Sequence, residues 1–360
     1  MGNNAAAYRG LFLGMAVGDA MGLPVDDKDW PEICENYGPN GLLGYDLLNG
    51  TAEVTSYTQV AAYVANGLLL AITRGRQDMY LRYIAEAMRQ WAKRQHFPRD
   101  PEKNLFWVTQ IPQLRLRQCR DARMLDALRF DRLGAMDRPI NSAASPGAIM
   151  TGAVIGMLCD RRRLDPAQAA PLSAQAVALT HGDPEAFLSA AALAQVIAGI
   201  IHGQPQSLKD HFLNTAEVID KQFRDKFPQA TTLSTRLKLA ISMSENQNFD
   251  ARYHMEQLGC TSAGECLAGA MYACLVCGND FDTAMITAIN HSGRSSAVGA
   301  ITGAIIGARL TDAALPEFYL ESLEAAPMLQ VLANDLAQGN PAAGLFDDDW
   351  DHKYVQGLPL

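Results

Sequence analysis

The stretch Ala288-Ile289-Asn290-His291-Ser292-Gly293-Arg294-Ser295-Ser296-Ala297-Val298-Gly299, continuing as Ala300-Ile301-Thr302-Gly303-Ala304-Ile305-Ile306-Gly307, decides the fold of this chain. A polar turn, Ser292 to Ser296, separates two apolar helical patterns, and Ser295 or Ser296 is placed to cap the second helix by accepting a free N–H of its first turn. Gly299, Gly303 and Gly307 recur at every fourth position, so one helix face carries almost no side chains and another backbone can lie against it. Each interior glycine costs about 1 kcal/mol relative to alanine, so three of them imply close packing that offsets roughly 3 kcal/mol. The partner is readable at the other end of the chain. Gly10, Gly14 and Gly18 repeat the spacing within Tyr8 to Asp26, a segment that runs into a Gly/Pro turn and bears two carboxylates, Asp19 and Asp26. Packing the two glycine faces in one core brings the two polar turns together.

With 360 residues, 48% of them hydrophobic and 19% charged, the chain can bury a large core. A net charge of −9 argues against nucleic acid, whose binding relies on a Lys/Arg excess to displace counterions. The one basic concentration, Arg115, Arg117, Arg120, Arg123, Arg129 and Arg132, is interleaved with Asp121, Asp126 and Asp131 and reads as a solvated helix face. Seven scattered cysteines suit a reducing compartment, and the C-x-x-C of Cys274 and Cys277 sits in a buried helical pattern. Asp19 interrupts the first apolar segment and no basic region precedes it, so it is not read as a secretory leader. The charge-free runs 141–159 and 186–202 are rich in small residues and near or below the length of a span, so no membrane partner is expected and the cytoplasm is the expected location. The acidic tail, Phe346 to Asp351, reads as solvated rather than metal-binding.

Between these anchors the pattern is helical. An irregular segment, Pro31 to Gly50, carries turn signatures and leads through Val54-Thr55-Ser56-Tyr57-Thr58-Gln59 into an Ala/Leu-rich helix. Amphipathic spacing predicts a helix from Met79 to about Arg94, with others at about 208–223, 233–243, 262–277 and 280–289. Asp165-Pro166 and Asp183-Pro184 each place a capping acid before a proline at the first helical position, and Ser262-Ala263-Gly264-Glu265 is a capping box. Asn141-Ser142-Ala143-Ala144-Ser145-Pro146-Gly147 is a small-residue loop that lets a ligand approach the backbone or lets helices pack closely. Thr180-His181-Gly182-Asp183 forms a polar elbow between two helices. No sustained period-two pattern appears, which predicts an all-α fold.

Taken together, Gly14 to Pro24, Thr180-His181-Gly182-Asp183-Pro184-Glu185, and Asn290-His291-Ser292-Gly293 with Gly299-Ala300-Ile301-Thr302-Gly303 resemble the ADP-ribosylglycohydrolase family, which includes dinitrogen reductase-activating glycohydrolases and J1 crystallins. The resemblance implies an orthogonal multi-helix bundle with a central cleft, one domain with a core at about residues 8–321. Members with hydrolase activity carry Thr-Asp-Asp after the first loop and Asp-x-Asp-Thr/Ser in the late turn, which together bind two magnesium ions; hard Mg²⁺ requires oxygen donors in octahedral array. Here the first motif reads Thr55-Ser56-Tyr57 and the second Arg294-Ser295-Ser296-Ala297, so four expected carboxylates are absent. Asp26 stands for the family's glutamate, and Met150-Thr151 for a Met-Arg pair.

No dinuclear magnesium cofactor is therefore expected, and Arg294 is placed to pair with Asp19 or Asp26 and supply the missing positive charge. The expected ligand contacts are Asp19, Thr55, Ser56, Tyr57, Ser145, Gly147, His181, His291, Ser292, Gly293, Arg294 and Ser296, with Asp26 as the acid or base if there is chemistry. Three functions compete: a pseudoenzyme that binds ADP-ribose or a related nucleotide sugar, a metal-independent glycosidase acting on an ADP-ribosylated or related substrate, and a structural protein like the crystallins.

Overall fold

The computed structural model describes residues 4–96, 106–115, 118–129, 132–160, 163–246, 248–339 and 348–355. Among them the chain forms α-helices joined by short 3₁₀ turns, with no strand and only isolated bridges, such as Ala52 beside Leu323. In the N-terminal half the helices are α1 (Ala5–Gly22), α2 (Trp30–Tyr37), α3 (Ser56–Thr73), α4 (Tyr80–His96), α5 (Ala122–Leu128), α6 (Met150–Met157), α7 (Pro166–Ala178) and α8 (Pro184–His202). The C-terminal half adds α9 (Leu208–Phe223), α10 (Gln229–Ser244), α11 (Ala251–Leu258), α12 (Ala263–Cys277), α13 (Phe281–Ile289), α14 (Ser295–Leu310), α15 (Glu317–Ser322), α16 (Ala326–Gln338) and α17 (Asp348–Tyr354).

Helices α1 and α14 lie antiparallel with their glycine faces in backbone contact. A Cβ built on Gly14 would stand 2.2 Å from the Gly303 carbonyl oxygen, and one on Gly18 would stand 2.0 Å from that of Gly299. Only glycine permits this approach, and the burial gained along both helices offsets their poor intrinsic propensity. Helices α3 and α14 are buried over nearly their whole length, so they read as apolar all round rather than striped. Among the described residues a large hydrophobic core draws on side chains from Tyr8 to Tyr354, beside a small separate cluster of Cys159, Ala169, Ala194 and Ala198.

The expected caps hold at Asp165, Asp183 and Ser262: Asp165 accepts from the Ala167 N–H, Asp183 from the Glu185 N–H, and Ser262 forms the full capping box with Glu265. Three expectations change. The segment expected to be irregular from Pro31 contains α2, because the Asp29 side chain accepts the Glu32 N–H, proline occupies the first turn and Ile33 anchors the buried face. The cap of α14 is neither Ser295 nor Ser296, whose hydroxyls are buried without a partner; the Ser296 N–H is taken by Asp26 instead. The tail is only partly solvated. In α17 Asp348 and Asp349 face water, but Trp350 and Tyr354 are buried and Lys353 lies 2.7 Å from both Asp335 and Asp349; Phe346 and Asp347 lie outside the described residues.

Candidate functional site

Asp19, in the last turn of α1, points at the start of α3. Its Oδ1 accepts the Thr55 hydroxyl at 2.6 Å, while Oδ2 accepts the Thr55 N–H at 2.9 Å, the Thr58 N–H at 3.1 Å and the Thr58 hydroxyl at 2.7 Å. The carboxylate thus caps α3 from outside, satisfying N–H groups that α3 cannot pair itself. Burial pushes Asp19 up to about 6 against the pull of these donors. Expected as ligand contacts, Asp19 and Thr55 are instead fully buried and bind one helix to the other.

The 3₁₀ turn Leu23–Val25 redirects the chain so that Asp26 faces the first turn of α14. Its Oδ1 accepts the Ser296 N–H at 2.9 Å, where the helix dipole favours an anion. The Gly22 backbone passes so close to this turn that a Cβ there would lie 2.4 Å from the Ser296 nitrogen. The other oxygen, Oδ2, receives the Arg120 guanidinium, with Nε at 2.7 Å and Nη2 at 2.5 Å. Burial raises the Asp26 pKa, opposed by Arg120 and the Ser296 N–H.

Arg294 pairs with neither Asp19 nor Asp26. Its Nη1 lies 3.2 Å from Asp27 Oδ2 and donates to the Arg120 carbonyl at 3.3 Å. Asp27 also receives Arg120 Nη2 at 3.3 Å, so two arginines and two aspartates interlock. The expectation fails because Arg120 reaches Asp26 first. Arg120 belongs to the basic cluster read as a solvated helix face, but α5 begins only at Ala122 and the segment before it enters the cleft. There the Ser56 N–H donates to the Gln118 carbonyl at 2.9 Å, and the Arg120 N–H donates to Ser56 Oγ at 3.0 Å. Tyr57 is buried beside this cluster, and burial with the nearby Asp26 charge holds its phenol well above the usual range.

Asp121 follows immediately. Its Oδ2 accepts Ser145 Oγ at 2.5 Å and His181 Nε2 at 2.9 Å, and its Oδ1 accepts the Met124 N–H at 3.1 Å. Thr180 Oγ1 lies 2.8 Å from His181 Nδ1, completing the network. Burial opposes ionisation of Asp121, but the His181 and Ser145 hydrogen bonds outweigh it and hold the carboxyl well below its usual range. Gly147 is required here, since a Cβ would stand 2.3 Å from Asp121 Oδ2.

The structure therefore gathers Asp26, Ser56, Tyr57, Arg294 and Ser296 around Arg120, and Ser145, Gly147 and His181 around Asp121. Three expected contacts lie behind this layer. His291 is buried with Nε2 donating to the Ala288 carbonyl at 3.0 Å, and burial lowers its pKa to about 4. Ser292 Oγ accepts the Trp30 N–H at 2.8 Å and its own N–H goes to Glu256, while the Gly293 carbonyl accepts the Asp27 N–H at 3.0 Å. These residues brace the turn. Sequence reasoning missed Arg120, Asp27 and Asp121 as parts of the site; the available signal was Asp27 directly beside Asp26, a second carboxylate to which no cation was assigned.

Above the interlocked pairs opens a cavity of about 480 Å³, lined by Arg120, Arg123, Arg294, Ser142, Ser145 and Thr261 among others. Its guanidinium and hydroxyl donors are suited to an anionic, oxygen-rich ligand.

Comparison with known proteins agrees with the fold. The chain is similar to an uncharacterized protein of Archaeoglobus fulgidus, 25% identical over 333 residues that cover 91% of this chain and 95% of that protein. It also resembles a solved structure described as an ADP-ribosylglycohydrolase-related protein complex, with a TM-score of 0.56 and 22% identity, covering 95% of this chain and 100% of the other. The sequence model of the ADP-ribosylglycohydrolase family matches residues 3–344, and the chain belongs to that family.

Proposed function

We propose that this family member binds ADP-ribose or a related nucleotide sugar in the Arg120–Arg294 cleft as a pseudoenzyme, without the dinuclear magnesium centre of its hydrolase relatives. The observation that carries the reading is the Arg120 guanidinium on Asp26, a protein cation where a metal-binding site would need open carboxylate oxygen. A magnesium pair does not fit the groups present. Both oxygens of Asp19 and of Asp26 already accept hydrogen bonds, Ser56, Tyr57 and Ser296 bring no carboxylate, and two guanidiniums would repel a divalent ion. Among the described residues no group of three or more His, Cys, Asp or Glu side chains is arranged to hold a metal. A metal-independent glycosidase would need Asp26 to exchange a proton with substrate, yet its side chain is 0% exposed and fully engaged.

The self-paired state of Asp19, Asp26 and Asp121 favours a second reading, a purely structural role. Titrating ADP-ribose into the protein separates the two. On the first reading the protein binds, and Arg294→Ala weakens binding by about ten- to a hundredfold with little change in Tm, equivalent to about 1.4–2.7 kcal/mol. Absence of binding by the parent protein rejects that reading and favours the structural one. All seven cysteines are free thiols, which supports a reducing, cytoplasmic setting.

A further inference from the structure

We propose that Gln118–Asp121 is an autoinhibitory strap, a resident occupant of the cleft whose Asp121 carboxylate takes the place of a ligand's anionic group on Ser145 and His181. The proposal concerns regulation of the cleft described above and rests on its being a ligand site. The strap behaves as a tethered ligand with two ends. Its cationic end, Arg120, lies on Asp26 and Asp27; its anionic end, Asp121, accepts from a hydroxyl and an imidazole, donors suited equally to a phosphate oxygen. The backbone is clamped between them, with Ser56 bonded to Gln118 and Arg120, Gln118 Nε2 donating to Glu53 at 3.0 Å, and Arg294 donating to the Arg120 carbonyl.

An incoming phosphate and the Asp121 carboxylate compete for the same donors, and held side by side they repel. The small-residue loop, read from sequence as letting a ligand approach the backbone or letting helices pack closely, is approached here by the chain itself, and a Cβ on Gly147 would meet Asp121 Oδ2 at 2.3 Å. Removing the Asp121 charge leaves Ser145 and His181 as unfilled donors beside a cavity lined by three arginines.

Inorganic pyrophosphate is the probe, titrated calorimetrically into the parent, Asp121→Ala and Asp121→Asn proteins. The strap predicts that Asp121→Ala binds at least about tenfold more tightly than the parent, about 1.4 kcal/mol. Asp121→Asn should bind about threefold more tightly. Its single carbonyl oxygen keeps either the cap on Met124 or the acceptor for Ser145 and His181, at nearly the same size and without the charge, so it decides the matter if the alanine variant does not fold. Equal or weaker binding by the folded variants overturns the strap. Titrating ADP-ribose into the same proteins separates this from the ligand reading. A pyrophosphate gain with no ADP-ribose binding anywhere keeps the strap and rejects the nucleotide sugar, whereas ADP-ribose binding unchanged by either substitution keeps the ligand and rejects the strap.

Discussion

Arg120 Nε lies 2.7 Å from Asp26 Oδ2, joining a loop before α5 to the turn after α1 across ninety-four residues of chain. The Asp26 side chain is 0% exposed, so Arg120 and the Ser296 N–H are what make a charge tolerable there. Arg120→Ala removes one of these and leaves a buried, half-satisfied carboxylate, which should lower stability by about 3 kcal/mol. Arg294→Ala breaks a pair with Asp27, whose side chain is 52% exposed, and should cost about 1 kcal/mol or less. Without Arg120 the already raised Asp26 pKa rises further, so the deficit should shrink as the pH falls and the carboxyl takes up a proton. Urea unfolding of both variants at pH 5 and pH 7 checks this; equal losses for the two arginines would place the supporting charge elsewhere.

Asp19 should leave a signature in the pH dependence of stability. Its pKa is raised to about 6 in the folded protein, so folding favours the protonated form. That contribution is fully present below the unfolded value near 3.8 and is lost as the pH rises through about 6. Asp19→Asn keeps an acceptor for the Thr55 and Thr58 N–H groups and does not titrate. Its stability relative to the parent should therefore increase by about 2–3 kcal/mol between pH 4 and pH 6, then level off. His291, with its pKa lowered to about 4, works the opposite way, because the unfolded chain takes up a proton first as the pH falls below about 6.5. The comparison of two proteins at each pH cancels the His291 contribution. A flat difference would mean that Asp19 titrates normally.

The glycine interface gives a sharp contrast within one residue type. Gly303→Ala places a methyl 1.9 Å from the Gly14 carbonyl oxygen, where backbone must move, and should cost several kcal/mol or prevent folding. Gly44→Ala meets nothing within 4 Å and should be neutral or stabilising by about 0.5 kcal/mol through the unfolded chain. Thermal melts of the two variants decide it, and a well-folded Gly303→Ala protein would refute the packing of α1 on α14.

The sequence carried the scaffold in a legible form because its signals are local and periodic. The glycines at 10, 14 and 18 and at 299, 303 and 307 declare two bare helix faces without reference to anything else, and Asp165, Asp183 and Ser262 cap helices a few residues away. Packing those faces puts the turn after α1 beside the turn before α14, with the Asp27 N–H on the Gly293 carbonyl. Their partners were not legible. An arginine among aspartates in a polar segment looks the same whether it faces water or, as Arg120 does, turns inward to a carboxylate from another turn. The cap of α14 was misread on the same ground: Ser295 and Ser296 have the right chemistry, but a buried carboxylate from a distant turn is the stronger acceptor. His291 and Ser292 sit within the most informative stretch of the chain, yet His291 bonds back to the Ala288 carbonyl and Ser292 ties the turn to Trp30 and Glu256.

On the proposed reading arginines stand beside Asp26 where a metal pair would sit, and calorimetric titration of Mg²⁺ into the purified protein is the test. The account predicts no tight binding, with or without ADP-ribose, and a Tm unchanged by millimolar Mg²⁺ or by chelator. Two strongly held ions per chain, or a melting temperature that falls when chelator is added, would contradict it.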